Sequence, residues 1–113
     1  MRNDVGLNVY RNFNNEVSKA VEKAITNVLG PQVLNSLYGF LIQQHDVTKD
    51  ELPSRLDPLT DTLEVTFGSK GSRTISRVIA REVYDKMGLK FVEMSDYGLT
   101  HYIELARKQL ELG

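Results

Sequence analysis

The residues best placed to do chemistry in this 113-residue sequence are basic. Arg73, Arg77 and Arg81 recur every four residues, which is the repeat of one helix face, with Lys70 just ahead of them and Tyr84 on the same side. Ile75, Val78, Ile79 and Val83 fall on the opposite face, so the pattern is a basic stripe with one aromatic running along an amphipathic helix. Such a stripe suits an acidic protein partner or a nucleic-acid backbone. It is entered through Gly68-Ser69-Lys70-Gly71-Ser72-Arg73, a glycine-containing loop at a helix start, where free backbone N–H groups and the helix dipole favour an anion. The G-x-x-x-x-G-K-[ST] order of a phosphate-binding loop is missing. A plain turn with Ser72 as the helix cap accounts for the same residues, and anion contact is the alternative.

Charge sharpens both readings. From Gly68 to Phe91 the net charge is +4, whereas the preceding stretch 46–64, holding Asp46, Asp50, Glu51, Asp57, Asp61 and Glu64, is −4. The two stretches are expected to belong to consecutive helices whose charges face each other or water, each exposed pair contributing less than about 1 kcal/mol. The whole chain carries −1, so any binding to nucleic acid has to come from the local stripe. Asp57, Asp61 and Glu64 share one side of a helix and could do acid/base work, but Asp57 as an N-cap and Asp61 near a positive helix end explain themselves structurally. His45 and His101 each lack a second histidine within helical reach, and cysteine is absent, which leaves neither a metal-ligand set nor a thiolate. No serine sits in a nucleophile elbow. The chain is therefore expected to be no enzyme and to use no cofactor and no metal.

The elements that position the stripe are helices. Val17, Ala20, Val21, Ala24, Ile25 and Val28 form one face of a helix over Glu16–Leu29, capped by Asn14 or Asn15 and stopped by a left-handed Gly30. Pro31 begins a second helix, in which Val33, Leu34, Leu37, Tyr38, Phe40, Leu41 and Ile42 cover roughly 200° of the circumference, about twice an ordinary apolar stripe. Such a helix is either central or at an interface. Thr48 and Glu51 have capping-box spacing, but Pro53 allows only a short or irregular helix there. Asp57-Pro58 starts the next, aligning Leu59, Leu63 and Phe67 and ending at Gly68. Ser72 then caps the stripe helix, closed by Gly88, and after an apolar connection at 89–94 a last helix from Asp96 or Tyr97 turns Leu99, Tyr102, Ile103, Ala106 and Leu110 inward.

This pattern predicts an all-α, compact bundle of about five helices. Residues 15–113 form the single domain, and residues 1–14 form a flexible N-terminal arm. The first fifteen residues, with five asparagines, do not read as a secretory signal, and the run Leu37–Ile42 is far short of the roughly 20 apolar residues of a membrane span. A soluble, cytoplasmic protein is expected, with no membrane partner.

Three stretches, AVEKAITNVLG at 20–30, LEVTFG at 63–68 and ISRVIAREVYDKMGL at 75–89, resemble the small helical output domains of Thaumarchaeota, the Nitrosopumilus output domain type. In that family a "lE.iFG" segment precedes a helix ending in "lY.k.Gl", matched here by Val83-Tyr84-Asp85-Lys86-Met87-Gly88-Leu89. The likeness covers roughly residues 16–90 and rests mostly on core and cap positions. It implies a non-catalytic module that passes signals by contact, with no catalytic residues to carry over.

Function is accordingly expected to be protein interaction or signal output. Lys70, Arg73, Arg77, Arg81 and Tyr84 are the candidate partner or anion site, and self-association is expected through Leu34, Leu37, Tyr38 and Leu41. Nucleic-acid binding through the stripe at 70–81 is the alternative.

Overall fold

The computed structural model describes residues 2–110, with side chains from residue 12 onward. Four α-helices and one short 3-10 turn follow each other: α1 (Arg2–Leu29), α2 (Pro31–His45), the turn Leu52–Ser54, α3 (Leu56–Lys86) and α4 (Leu99–Gln109). The all-α single bundle is as expected, but the helices number four rather than about five, because the two expected on either side of Gly68 form one element with a break inside it. No helix among the described residues is long and apolar enough to cross a membrane.

α1 begins well before the expected start. Asn14 and Asn15 lie in mid-helix and cap nothing, and Phe13 is fully buried ahead of Val17, Ala20, Val21, Ala24 and Ile25. Val28, expected on that face, is half exposed. The helix breaks at Gly30 with φ 95° and ψ 159°, a positive φ as expected but with extended ψ in place of the left-handed helical value, and Pro31 opens α2 with its missing N–H where none is needed.

In α2, Leu34, Leu37 and Leu41 point into the protein's own core, so three of the four residues expected to self-associate are already used. Val33 and Tyr38 are partly buried against that core, and Phe40 and Ile42, the outer residues of the wide apolar arc, are 44% and 50% exposed. Asp46 in left-handed geometry closes α2, and Arg55 donates to the Asp46 and His45 carbonyls at 3.2 and 3.4 Å, covering acceptors left open at the helix end. Glu51 accepts from both the backbone N–H and the hydroxyl of Thr48, at 3.1 and 3.0 Å, which holds its carboxyl below the ordinary range. With Pro53 inside it, the helix so capped is the single 3-10 turn that the sequence allows.

Gly68 makes the decisive turn. Its φ of 78° and ψ of 173° lie in a region that only glycine enters cheaply. Residues twelve apart along a straight helix are about 18 Å from each other. Yet the Ser72 hydroxyl donates to the Thr60 carbonyl at 3.4 Å, so the second arm of α3 returns along the first. Ser69 is already helical, which means that Ser72 is a buried interior residue and not a cap, and that the expected glycine loop is a one-residue reversal. Gly71 serves the same turn by close approach, since a β-carbon there would sit 2.8 Å from Phe67 Cβ. Leu56 starts the first arm one residue ahead of Asp57, which is thus in the first turn and not at the cap.

α1 lies against α2 and α3, and α4 closes over α3. Leu59, Leu63, Ile75, Ile79, Val83 and Ile103 fill the space between them. Arg107, placed by its sequence near the negative end of α4, is itself buried, with its guanidinium 4.9 Å from the Phe13 ring centre and Nη1 donating to Asn14 Oδ1 at 3.4 Å.

Gly68→Ala is expected to lower stability by about 1–3 kcal/mol through the forced positive φ. Gly39→Ala, inside α2 with open space at its β-carbon, is expected to gain about 0.5–1 kcal/mol. Urea unfolding of the two variants checks the contrast.

Candidate functional site

The stripe runs along the second arm of α3, but it is not an open face. After Gly88, which turns the chain with φ 69°, residues 89–98 cross back over the arginines without regular structure. Phe91 packs edge-on against Tyr84, with ring centres 5.4 Å apart and planes at 89°, and lies 5.0 Å from the Tyr102 ring. The Arg81 guanidinium sits over Phe91 at 5.4 Å. Two residues on, Glu93 accepts from Arg77 Nη1 at 3.0 Å and pairs with Arg81 Nη2 at 3.7 Å.

One hydroxyl also ties this strap to α4. Tyr102 Oη accepts from the Met94 backbone N–H at 2.8 Å and donates to the Met94 carbonyl at 3.0 Å, so both polar groups of one peptide position are tied to α4. The Tyr102 carbonyl in turn accepts from the Tyr84 hydroxyl at 2.7 Å. Tyr84 is therefore a core residue, 2% exposed, and not part of a binding surface. Its position around the helix is the stripe's, but the returning strap covers that end of the face. Burial pushes its phenol pKa up, and the neighbouring Tyr97 and Tyr102 push it the same way.

Lys70 and Arg73 lie beyond the strap. Neither side chain has an ion-pair partner among the described residues, and both line a cleft of about 610 Å3 between the two arms of α3 and the 93–102 segment, a size ordinary for a ligand site. Ser72 and Ser76 line it as well, each 6% exposed. The acids that line it are Asp57, Glu64, Glu93 and Asp96. Asp57 Oδ1 accepts from the Thr100 hydroxyl at 2.6 Å, joining the start of α3 to the start of α4, and Asp96 Oδ1 accepts from Ser95 at 3.1 Å.

The structure thus divides the expected site. Lys70, Arg73 and Arg77 come together on one cleft wall, Arg81 stands outside it under the control of Glu93 and Phe91, and Tyr84 drops out. The −4 and +4 stretches, expected to face each other or water, share no ion pair among the described residues, so Arg77 and Arg81 are not neutralised across them. Their partner is Glu93, which lies outside both stretches, and Lys23 from α1 pairs with Glu82 at 3.4 Å. The strap was not legible as a site feature, since it matters through contacts made far along the chain.

The two histidines have local roles. His101 Nδ1 accepts from the Gly98 backbone N–H at 3.1 Å and so caps α4, and His45 ends α2 with its ring 5.9 Å from Phe40. Among the described residues no three histidine or carboxylate side chains come together as a metal-holding group.

No family model matches this chain, and neither a curated protein nor a solved structure matches it.

Tyr102→Phe removes both hydrogen bonds to Met94 while keeping the ring. It is expected to cost about 1–2 kcal/mol in urea unfolding.

Proposed function

We propose that this chain is a non-enzymatic interaction module that acts by contact with an acidic partner protein at the Lys70, Arg73 and Arg77 wall of α3. The observation that carries the reading is the cleft itself, in which neither Lys70 nor Arg73 has an ion-pair partner among the described residues, so that both side chains stand beside open volume although Asp57, Glu64, Glu93 and Asp96 line it too. Glu93 supplies a second support, because its pairing with Arg77 and Arg81 is a carboxylate docked on the same stripe. Signal output is the finer form of this reading and rests on the resemblance of residues 16–90 to the Nitrosopumilus output domain. A nucleic-acid backbone fits the wall less well. Glu93 offsets the lower half of the stripe, and Glu64 and Asp96 line the same cleft, which works against a run of phosphates.

Self-association keeps one route open to it, the exposed Phe40 and Ile42 of α2, since Leu34, Leu37 and Leu41 are committed inward.

Capture from a lysate of the source organism, with the full chain as bait, tests the proposal. A protein retained after nuclease treatment and lost from a Lys70→Glu/Arg73→Glu bait is the expected result. Recovery that collapses with nuclease reverses the choice in favour of nucleic acid.

A further inference from the structure

Residues 90–97 are attached to the bundle through side chains. The chain leaves the helical backbone at Leu89, whose N–H donates to the Tyr84 carbonyl at 2.8 Å, and rejoins it at Gly98, whose carbonyl accepts from Tyr102 N–H at 3.2 Å. Among the described residues, no backbone–backbone hydrogen bond joins the positions between to a helix. The one they make, from Tyr97 N–H to the Met94 carbonyl at 3.2 Å, is internal. What holds them down is Tyr102 Oη on both polar groups of Met94, the pairing of Glu93 with Arg77 and Arg81, and the rings of Phe91 and Tyr97 against Tyr84 and Tyr102.

Both ends of this segment are glycine. Gly88 turns the chain at φ 69°, where glycine is favoured outright. Gly98 is a different case, because its φ of −93° suits any residue and a β-carbon there would meet nothing closer than His101 Nδ1 at 3.7 Å, an ordinary contact. Neither strain nor space calls for glycine at 98, and Ser, Asp or Asn would cap α4 better. What glycine supplies there is freedom for the chain to swing.

We infer that residues 90–97 form an autoinhibitory latch, hinged at Gly88 and Gly98, which lifts as a unit while the helices stay folded. With the latch down, Glu93 occupies Arg77 and Arg81 and leaves Lys70 and Arg73 as the unpaired cations of the stripe. With it up, Arg77 and Arg81 join them in one unbroken basic face. The consequence for binding rests on the contact-module reading above and adds the regulation of that surface, whereas the motion stands on the strap's own attachments. Glu93 is the ionic catch. Its side chain is 50% exposed, and those of Arg77 and Arg81 are 40% and 64% exposed, so salt weakens the catch.

Native-state hydrogen exchange on the full chain, in sub-denaturing urea, tests the motion. The Met94 amide is expected to exchange at least about tenfold faster than the Ile79 and Val83 amides inside α3, and with a far smaller dependence on urea, since lifting the strap exposes little surface. Glu93→Gln is expected to speed Met94 by about threefold relative to Val92, and raising NaCl to about 1 M to give the native chain the same gain. Equal rates and equal urea slopes at Met94, Ile79 and Val83 overturn the latch, because the strap then leaves only when the whole chain unfolds. An unchanged Met94 rate in Glu93→Gln overturns it too, since the strap would not be held by the arginines. Tyr102→Phe loosens the strap without altering a charge, and as bait it is expected to bind the Lys70- and Arg73-dependent protein about tenfold more tightly than the native chain. Equal binding, with Met94 exchange accelerated, overturns the inhibition. If no captured protein depends on Lys70 and Arg73, the contact-module reading falls and the exchange data still decide the motion.

Discussion

One backbone conformation organises this molecule. Gly68, at φ 78° and ψ 173°, reverses a 31-residue helical element so that Ser72 touches Thr60, and the cleft of the candidate site follows from that return. The reversal sets the two arms of α3 side by side, opens the cleft between them, and aims Lys70, Arg73 and Arg77 across it. The same device appears at Gly30, with φ 95° and ψ 159°, where α1 gives way to α2. Both are positions where a side chain would be strained and where two long helices must change direction within a single residue.

The second layer of order is the aromatic cluster under the strap. Tyr84, Phe91, Tyr97 and Tyr102 meet at ring separations of 5.0–5.4 Å, and two of their hydroxyls do structural work. Rings supply buried area and the hydroxyls supply direction, so a segment with no helix of its own has a defined path. Because that path crosses the stripe, Glu93 pairs with Arg77 and Arg81 and leaves Lys70 and Arg73 open to the cleft. The electrostatic character of the site is thus decided by a packing interaction made on the other side of the strap.

Much of this fold is legible in the residues. The α1 face from Val17 to Ile25, the Gly30-Pro31 junction, the Thr48–Glu51 cap cut short by Pro53, the closure at Gly88 and the inward face of α4 all follow from local chemistry. What local chemistry does not reveal is whatever depends on distant partners. Asn14 and Asn15 are good caps and weak helix formers, so they read as a helix start, but burial of Phe13 and the contact of Asn14 with Arg107 carry α1 through them. Gly68-Ser69-Lys70-Gly71 reads as a loop because two glycines usually make one, whereas here one reverses the backbone and the other clears room for Phe67. Tyr84 sits at the stripe's angle around the helix, and only the strap's return buries it. The candidate site was legible in its cations and illegible in its cover.

The strap is seated on the stripe through Phe91 and Glu93, and Tyr102 holds it there by its bonds to Met94. The most direct measurement is the hydrogen-exchange rate of the Met94 amide in the native chain, compared with that of Val92 in the same strap. Donation of this N–H to the Tyr102 hydroxyl at 2.8 Å predicts exchange more than about a hundredfold slower at Met94 than at Val92. Equal, fast exchange at both positions would contradict the account, because the strap would then spend its time away from the arginines it is said to cover.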